Sequence, residues 1–127
     1  MITIFRNIRE TSTPFYKDIG FIFERIQSEK YGDLIKQIRK EQDKTARNEL
    51  KKELPAICFS GIFSKRSDDA IKEHSGYICL DFDGYTKKKD MLEAKESMSK
   101  DPYVMAAFVS PSGNGLKVII KIPKDEE

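Results

Sequence analysis

At 127 residues the chain is one domain's worth, long enough to bury a core and short for an enzyme with a separate substrate domain. Its 23 lysines and arginines nearly cancel 21 aspartates and glutamates, so the net charge of +2 does not by itself announce a nucleic-acid binder, and any basic surface must be local. No apolar stretch approaches a membrane span, MITIFRNIRE lacks the features of a signal peptide, and Cys58 and Cys79 have no metal-type spacing; the expectation is a cytoplasmic protein with two buried thiols and no disulfide.

Taken in chain order, Ile2 to Ile8 alternates apolar and polar residues and predicts a first strand, broken by Thr11-Ser12-Thr13-Pro14. From Phe15 the spacing of Ile19, Ile22, Phe23 and Ile26 predicts an amphipathic helix that ends near Tyr31-Gly32. Asp33 can cap a second helix with Leu34, Ile35 and Ile38 facing inward, followed by a solvated, highly charged portion from Arg39 to Glu53. Pro55 closes this helical half. Ala56 to Phe63 predicts one buried strand, and SKRSDDAIKEHS a polar connection with room for one helical turn. GYICLDFD is the next strand, and Met91, Leu92, Lys95 and Met98 mark a helix stopped by Asp101-Pro102. YVMAAFVS and GLKVIIKI follow as strands joined through Pro111-Ser112-Gly113-Asn114. The expected fold class is α+β, a mainly antiparallel sheet with helices packed on one face. A single domain over residues 1–127 is expected, with a strand-plus-helix part at 1–55 and a sheet-forming part at 56–122. Because only PKDEE follows the last strand, it is expected to be the N-terminal segment of a larger protein, incomplete at its C-terminus.

Two stretches carry candidate chemistry. Strand alternation puts Asp81 and Asp83 on one face with Leu80 and Phe82 on the other, so the two carboxylates, with Cα atoms roughly 7 Å apart, can converge on Mg²⁺ or Mn²⁺. Magnesium is usually held by one or two carboxylates plus phosphate oxygens, which makes a nucleotide or nucleic-acid backbone the complementary ligand. A turn at Asp83-Gly84 with both charges in water explains the same residues more simply. An acid placed directly after YICL is nevertheless expected near the sheet interior, where an unpaired charge is expensive. In the second stretch, Ser110 and Ser112 offer hydroxyls, Gly113 and Gly115 allow backbone N–H groups to approach a phosphate, and Lys117 adds a cation. Asn114-Gly115 is also a hairpin signal, since both residues tolerate positive φ. His74, Lys65, Arg66 and the run Lys87-Lys88-Lys89 are lesser candidates, better explained as surface residues.

Together, ELPAICFSGIFSKR, HSGYICLDFDGY and DPYVMAAFVSPSGNGLKVIIKI resemble the VirE N-terminal domain family of bacterial, Bacteroides-like mobile-element proteins. That family in turn resembles the catalytic modules of archaeo-eukaryotic-type primases and primase-polymerases. The resemblance implies a core like the RNA-recognition motif. It also implies that Asp81 and Asp83 are the catalytic, metal-binding pair, and that Ser112, Gly113, Asn114, Gly115 and Lys117 form the nucleotide-phosphate loop. It implies Mg²⁺ or Mn²⁺ as cofactor, a nucleoside triphosphate and nucleic acid as partners, a helicase-like C-terminal domain in the full protein, and primase-type nucleotidyl transfer. Two departures stand out. Lys117 occupies the position where active primases usually carry histidine, and no later strand supplies a third acid. A noncatalytic nucleic-acid-binding or regulatory module is the alternative. A haloacid-dehalogenase-like phosphatase is a weaker fit, because Tyr85 stands where that motif has threonine.

Overall fold

The structure, a computed structural model, describes residues 1–28 and 30–122. The described residues are α+β, with four α-helices and three antiparallel sheets, and the chain divides into two compact units, Met1–Ser75 and Gly76–Glu127. No helix among the described residues is long and apolar enough to cross a membrane.

In the first unit, β1 (Ile2–Phe5) lies at the centre of a sheet between β2 (Phe15–Lys17) and β3 (Ala56–Cys58). The predicted strand is thus shorter than Ile2 to Ile8. All four β1 residues are buried, the polar Thr3 among them. Its hydroxyl donates to the Gly61 carbonyl at 2.7 Å and accepts from the Phe63 amide at 2.9 Å, which satisfies the buried polar group and ties β1 to β4 (Gly61–Phe63). Thr3→Val is expected to lower stability by about 2 kcal/mol, since the Phe63 amide loses its acceptor. Thr3→Ser should retain most of the stability; a urea melt in which Val matches the parent would refute this bridge.

Phe15 to Lys17 is not the helix start that periodicity suggested. It pairs antiparallel with β1, and α1 (Ile19–Gln27) begins only after Asp18, whose carboxylate accepts the Phe21 amide at 2.9 Å. The second predicted helix is two helices. α2 (Gly32–Lys40) starts after Tyr31, leaving Asp33 in its first turn rather than at the cap. α3 (Lys44–Lys51) restarts on Asp43, which accepts the Ala46 amide at 3.0 Å. A second correction concerns Ala56 to Phe63, which is not one strand. A turn at Phe59-Ser60 sends β3 and β4 into different sheets, and β4 pairs with β5 (Ile71–His74), a strand hidden in the polar connection. The helical turn expected there is a 3-10 turn at Asp68–Ala70.

The second unit runs β6 (Tyr77–Phe82), α4 (Lys88–Ser99), β7 (Val104–Val109) and β8 (Leu116–Lys121). The sheet order is β6-β8-β7, with both outer strands antiparallel to β8. The outer strands are therefore parallel to each other and joined through a helix, a split β-α-β unit with its third strand inserted between them. Met91 of α4 packs against Leu116 and Val118, and Ala94, Met98, Tyr85, Val104, Ala107, Val109 and Ile120 surround them. Leu92, one of the residues whose spacing predicted the helix, is 42% exposed. The covering stripe is instead Met91, Ala94 and Met98, spaced by three and four residues as one helix face requires.

Candidate phosphate and metal site

The ends of β6 and β8 bring the two candidate stretches together. Residues paired across neighbouring strands share a face, and the register sets Asp81 beside Lys117 and Phe82 beside Leu116. Leu116 lies in the core under α4, so alternation sends Asp81 and Lys117 to the opposite face. There the Lys117 Nζ donates to Asp81 Oδ1 at 2.8 Å. Asp81 is exposed rather than near the interior as expected, with its side chain 53% accessible and that of Lys117 34%. A pair this open is worth only about 0.2–1 kcal/mol to the fold.

One residue beyond β6, Asp83 rests against the backbone of Gly115. A Cβ on Gly115 would fall 2.6 Å from Asp83 Oδ1, 2.9 Å from the Phe82 carbonyl oxygen and 3.3 Å from Ser110 Oγ. Glycine is therefore required at 115 by close approach. Its conformation was misjudged from the sequence: neither Asn114 nor Gly115 takes positive φ, and the left-handed residues of this region are Gly84 and Gly113, both at +85°. Pro111 occupies the second position of a turn closed by the Gly113 amide donating to the Ser110 carbonyl at 3.0 Å. That amide is engaged within the loop. The Ser110 amide donates to the Gly115 carbonyl at 2.8 Å, and Ser112 Oγ donates to Asn114 Oδ1 at 2.9 Å. A further bond joins the two stretches directly, from the Tyr85 amide to the Asn114 carbonyl at 3.0 Å.

The sequence reading missed two contributors. Tyr85 anchors the turn after Asp83 to the loop through its amide while its ring packs in the core. Phe108 is the cross-strand neighbour of Lys117 on β7; the register that places it is a non-local quantity. Cys79 lies two residues before Asp81 and is half-buried. Burial raises its thiol pKa, the Asp81 carboxylate adds to that, and Lys117 acts in the opposite direction. His74, Lys65 and Arg66 belong to the first unit, and Lys87, Lys88 and Lys89 are exposed at the start of α4.

Whether Asp81 and Asp83 fit a divalent cation turns on their donor set. Among the described residues no group of three or more histidine, cysteine, aspartate or glutamate side chains could hold a metal ion. Two exposed carboxylates suit a cation that takes its other ligands from phosphate and water. They do not suit a closed cage of protein ligands.

A family model described as BT4734-like, N-terminal domain, matches residues 49–127. No curated protein matches the chain. No solved structure matches it either.

Proposed function

We propose, starting from the fact that this chain belongs to the BT4734-like N-terminal domain family, that it is a primase-polymerase-like domain binding nucleotide or nucleic-acid phosphate. In this reading it serves a mobile-element replication or mobilisation protein. The observation that carries the proposal is the contact of Asp83 with the Gly115 backbone, which joins the acidic pair to the serine-glycine loop at one end of one sheet. The split β-α-β unit supports it, because that unit is half of the β-α-β-β-α-β arrangement on which a core like the RNA-recognition motif is built. Asp81 and Asp83 would hold Mg²⁺ or Mn²⁺ together with the phosphates, and Ser112, Asn114 and Lys117 would border the anion. The chemistry such a cation supplies is neutralisation of triphosphate charge. Lys117 would exchange its partner, from the Asp81 carboxylate to a phosphate oxygen, as the ligand arrives. This reading is one of phosphate binding by Asp81, Asp83, Lys117 and the serine-glycine loop, with no transfer step assigned to them.

One observation favours a second reading. Lys117 already places a cation on Asp81, which suits a noncatalytic module that binds phosphate without metal. Titration with ATP, with Mn²⁺ or with a chelator, separates the two. The metal reading expects binding to weaken at least about tenfold in chelator and in Asp83→Asn, with the circular dichroism spectrum unchanged. The metal-free reading expects chelator to have no effect and Lys117→Ala to abolish binding. Unchanged affinity in Asp81→Asn, Asp83→Asn and Lys117→Ala alike would sink both.

A further inference from the structure

Lysines crowd the end of α4 where a helix least favours them. Lys87 is the N-cap residue, Lys88 and Lys89 open the first turn, and all three are exposed. The start of a helix carries partial positive charge and unpaired amide N–H groups, so it attracts anions and repels cations. By contrast, α1 and α3 start on Asp18 and Asp43, whose carboxylates accept first-turn amides, while α2 starts on Tyr31 without a side-chain cap and carries Asp33 in its first turn. Lys87 forms no side-chain cap, and Asp90 is the acid of the α4 first turn. Among the described residues, the ion pairs Arg9–Glu49, Lys52–Glu49 and Lys117–Asp81 involve none of the three lysines.

The fold fixes where this charge sits. Residues 83–87 connect β6 to α4, and Tyr85 within them is bonded through its amide to Asn114. Lys87 is two residues past that anchor, within about 7 Å of chain. Phe82 closes β6 on the face that α4 covers, at the end where α4 begins, and is 37% exposed. Exposed cations that follow an accessible aromatic ring by a few residues offer the two contacts by which single strands are held, phosphates on the cations and a base on the ring.

We infer that Lys87, Lys88 and Lys89, with Phe82, bind the backbone of a single-stranded nucleic acid running past the Asp81–Asp83 site. The inference rests on the proposed phosphate-binding reading and adds a polymer contact distinct from it. Lys87, Lys88 and Lys89 are consecutive, and side chains of neighbouring helix residues leave the axis about 100° apart, a spread that suits an extended polymer better than the compact phosphates of one mononucleotide, which the Ser110 to Lys117 segment would take.

Fluorescence anisotropy with a dT oligonucleotide of about 20 nucleotides, longer than a typical single-strand site, tests it over a range of salt. The variant Lys87→Ala/Lys88→Ala/Lys89→Ala should bind more weakly, and its slope of log affinity against log salt should be shallower by about 2, at roughly 0.7 per lost phosphate contact. Lys36→Ala/Lys40→Ala/Lys44→Ala removes three exposed lysines from the first unit and should leave that slope unchanged. ATP titration of the first variant should match the parent, which separates this polymer contact from the phosphate site. An unaltered slope, an equal change in the second variant, or no oligonucleotide binding by the parent would overturn the inference. Loss of ATP binding in the parent would instead count against the phosphate site itself.

Discussion

Replacing Gly61 with alanine is expected to cost the amino-terminal unit about 3 kcal/mol or more. The added Cβ would lie 2.0 Å from the Glu73 carbonyl oxygen and 3.0 Å from its carbonyl carbon, where no contact between such atoms is tolerated. Both are backbone atoms of the paired strand β5, so no side chain can rotate out of the way. Relief requires β4 and β5 to separate at Gly61 and His74, the first pair of a short hairpin that is already bulged at Ile62/Phe63. The Gly61 carbonyl also accepts from the buried Thr3 hydroxyl, so the displacement would be felt at β1. Against a total stability of about 5–15 kcal/mol for an ordinary domain, this loss is large. Chemical denaturation followed by circular dichroism measures it, and a change below about 1 kcal/mol would show that the hairpin yields more easily than its geometry implies.

The second large effect concerns function more than folding. Gly115→Ala should push Asp83 away from β8, because the Cβ meets its carboxylate at 2.6 Å and the Phe82 carbonyl at 2.9 Å. The carboxylate can swing aside and the carbonyl cannot, so a loss of about 1–3 kcal/mol in stability is expected. Phosphate affinity should fall at least about tenfold, as it would when a ligand-bearing side chain is displaced. Gly84→Ala is the informative contrast. That position has open space around its Cβ direction but φ of +85°, so alanine pays about 1–2 kcal/mol for the left-handed backbone, and asparagine should recover part of it. If Gly115→Ala and Gly84→Ala weakened ATP binding equally, close packing of Asp83 on Gly115 would not be what organises the site.

Much of the second unit was legible because its signals are local. The alternation of YICLDF, the seven-residue spacing of Met91 and Met98, and the Asp101-Pro102 stop each act over a few residues. The candidate site was legible in the same sense: Asp81 and Asp83 share a face by strand geometry alone, and Lys117 follows the loop in the chain. The first unit was harder. Short strands such as Phe15–Lys17, Gly61–Phe63 and Ile71–His74 are too brief for periodicity to register, and each borders a helix or turn whose signal is stronger.

What the amino-acid order determined by itself, then, was which residues could share a strand face or a helix face, where turns must fall, and that carboxylates and a serine-glycine loop were present together. Only the tertiary structure decided which of these meet. It made Thr3 a buried bridge to Gly61 and Phe63, set Lys117 opposite Asp81, and made Gly115 a matter of clearance beside Asp83 rather than of φ. The physical reason is range. Periodicity and capping are fixed by neighbours in the chain, whereas strand register and close backbone approach depend on segments 30 to 60 residues apart, as the Asp81–Lys117 and Thr3–Phe63 separations of 36 and 60 show.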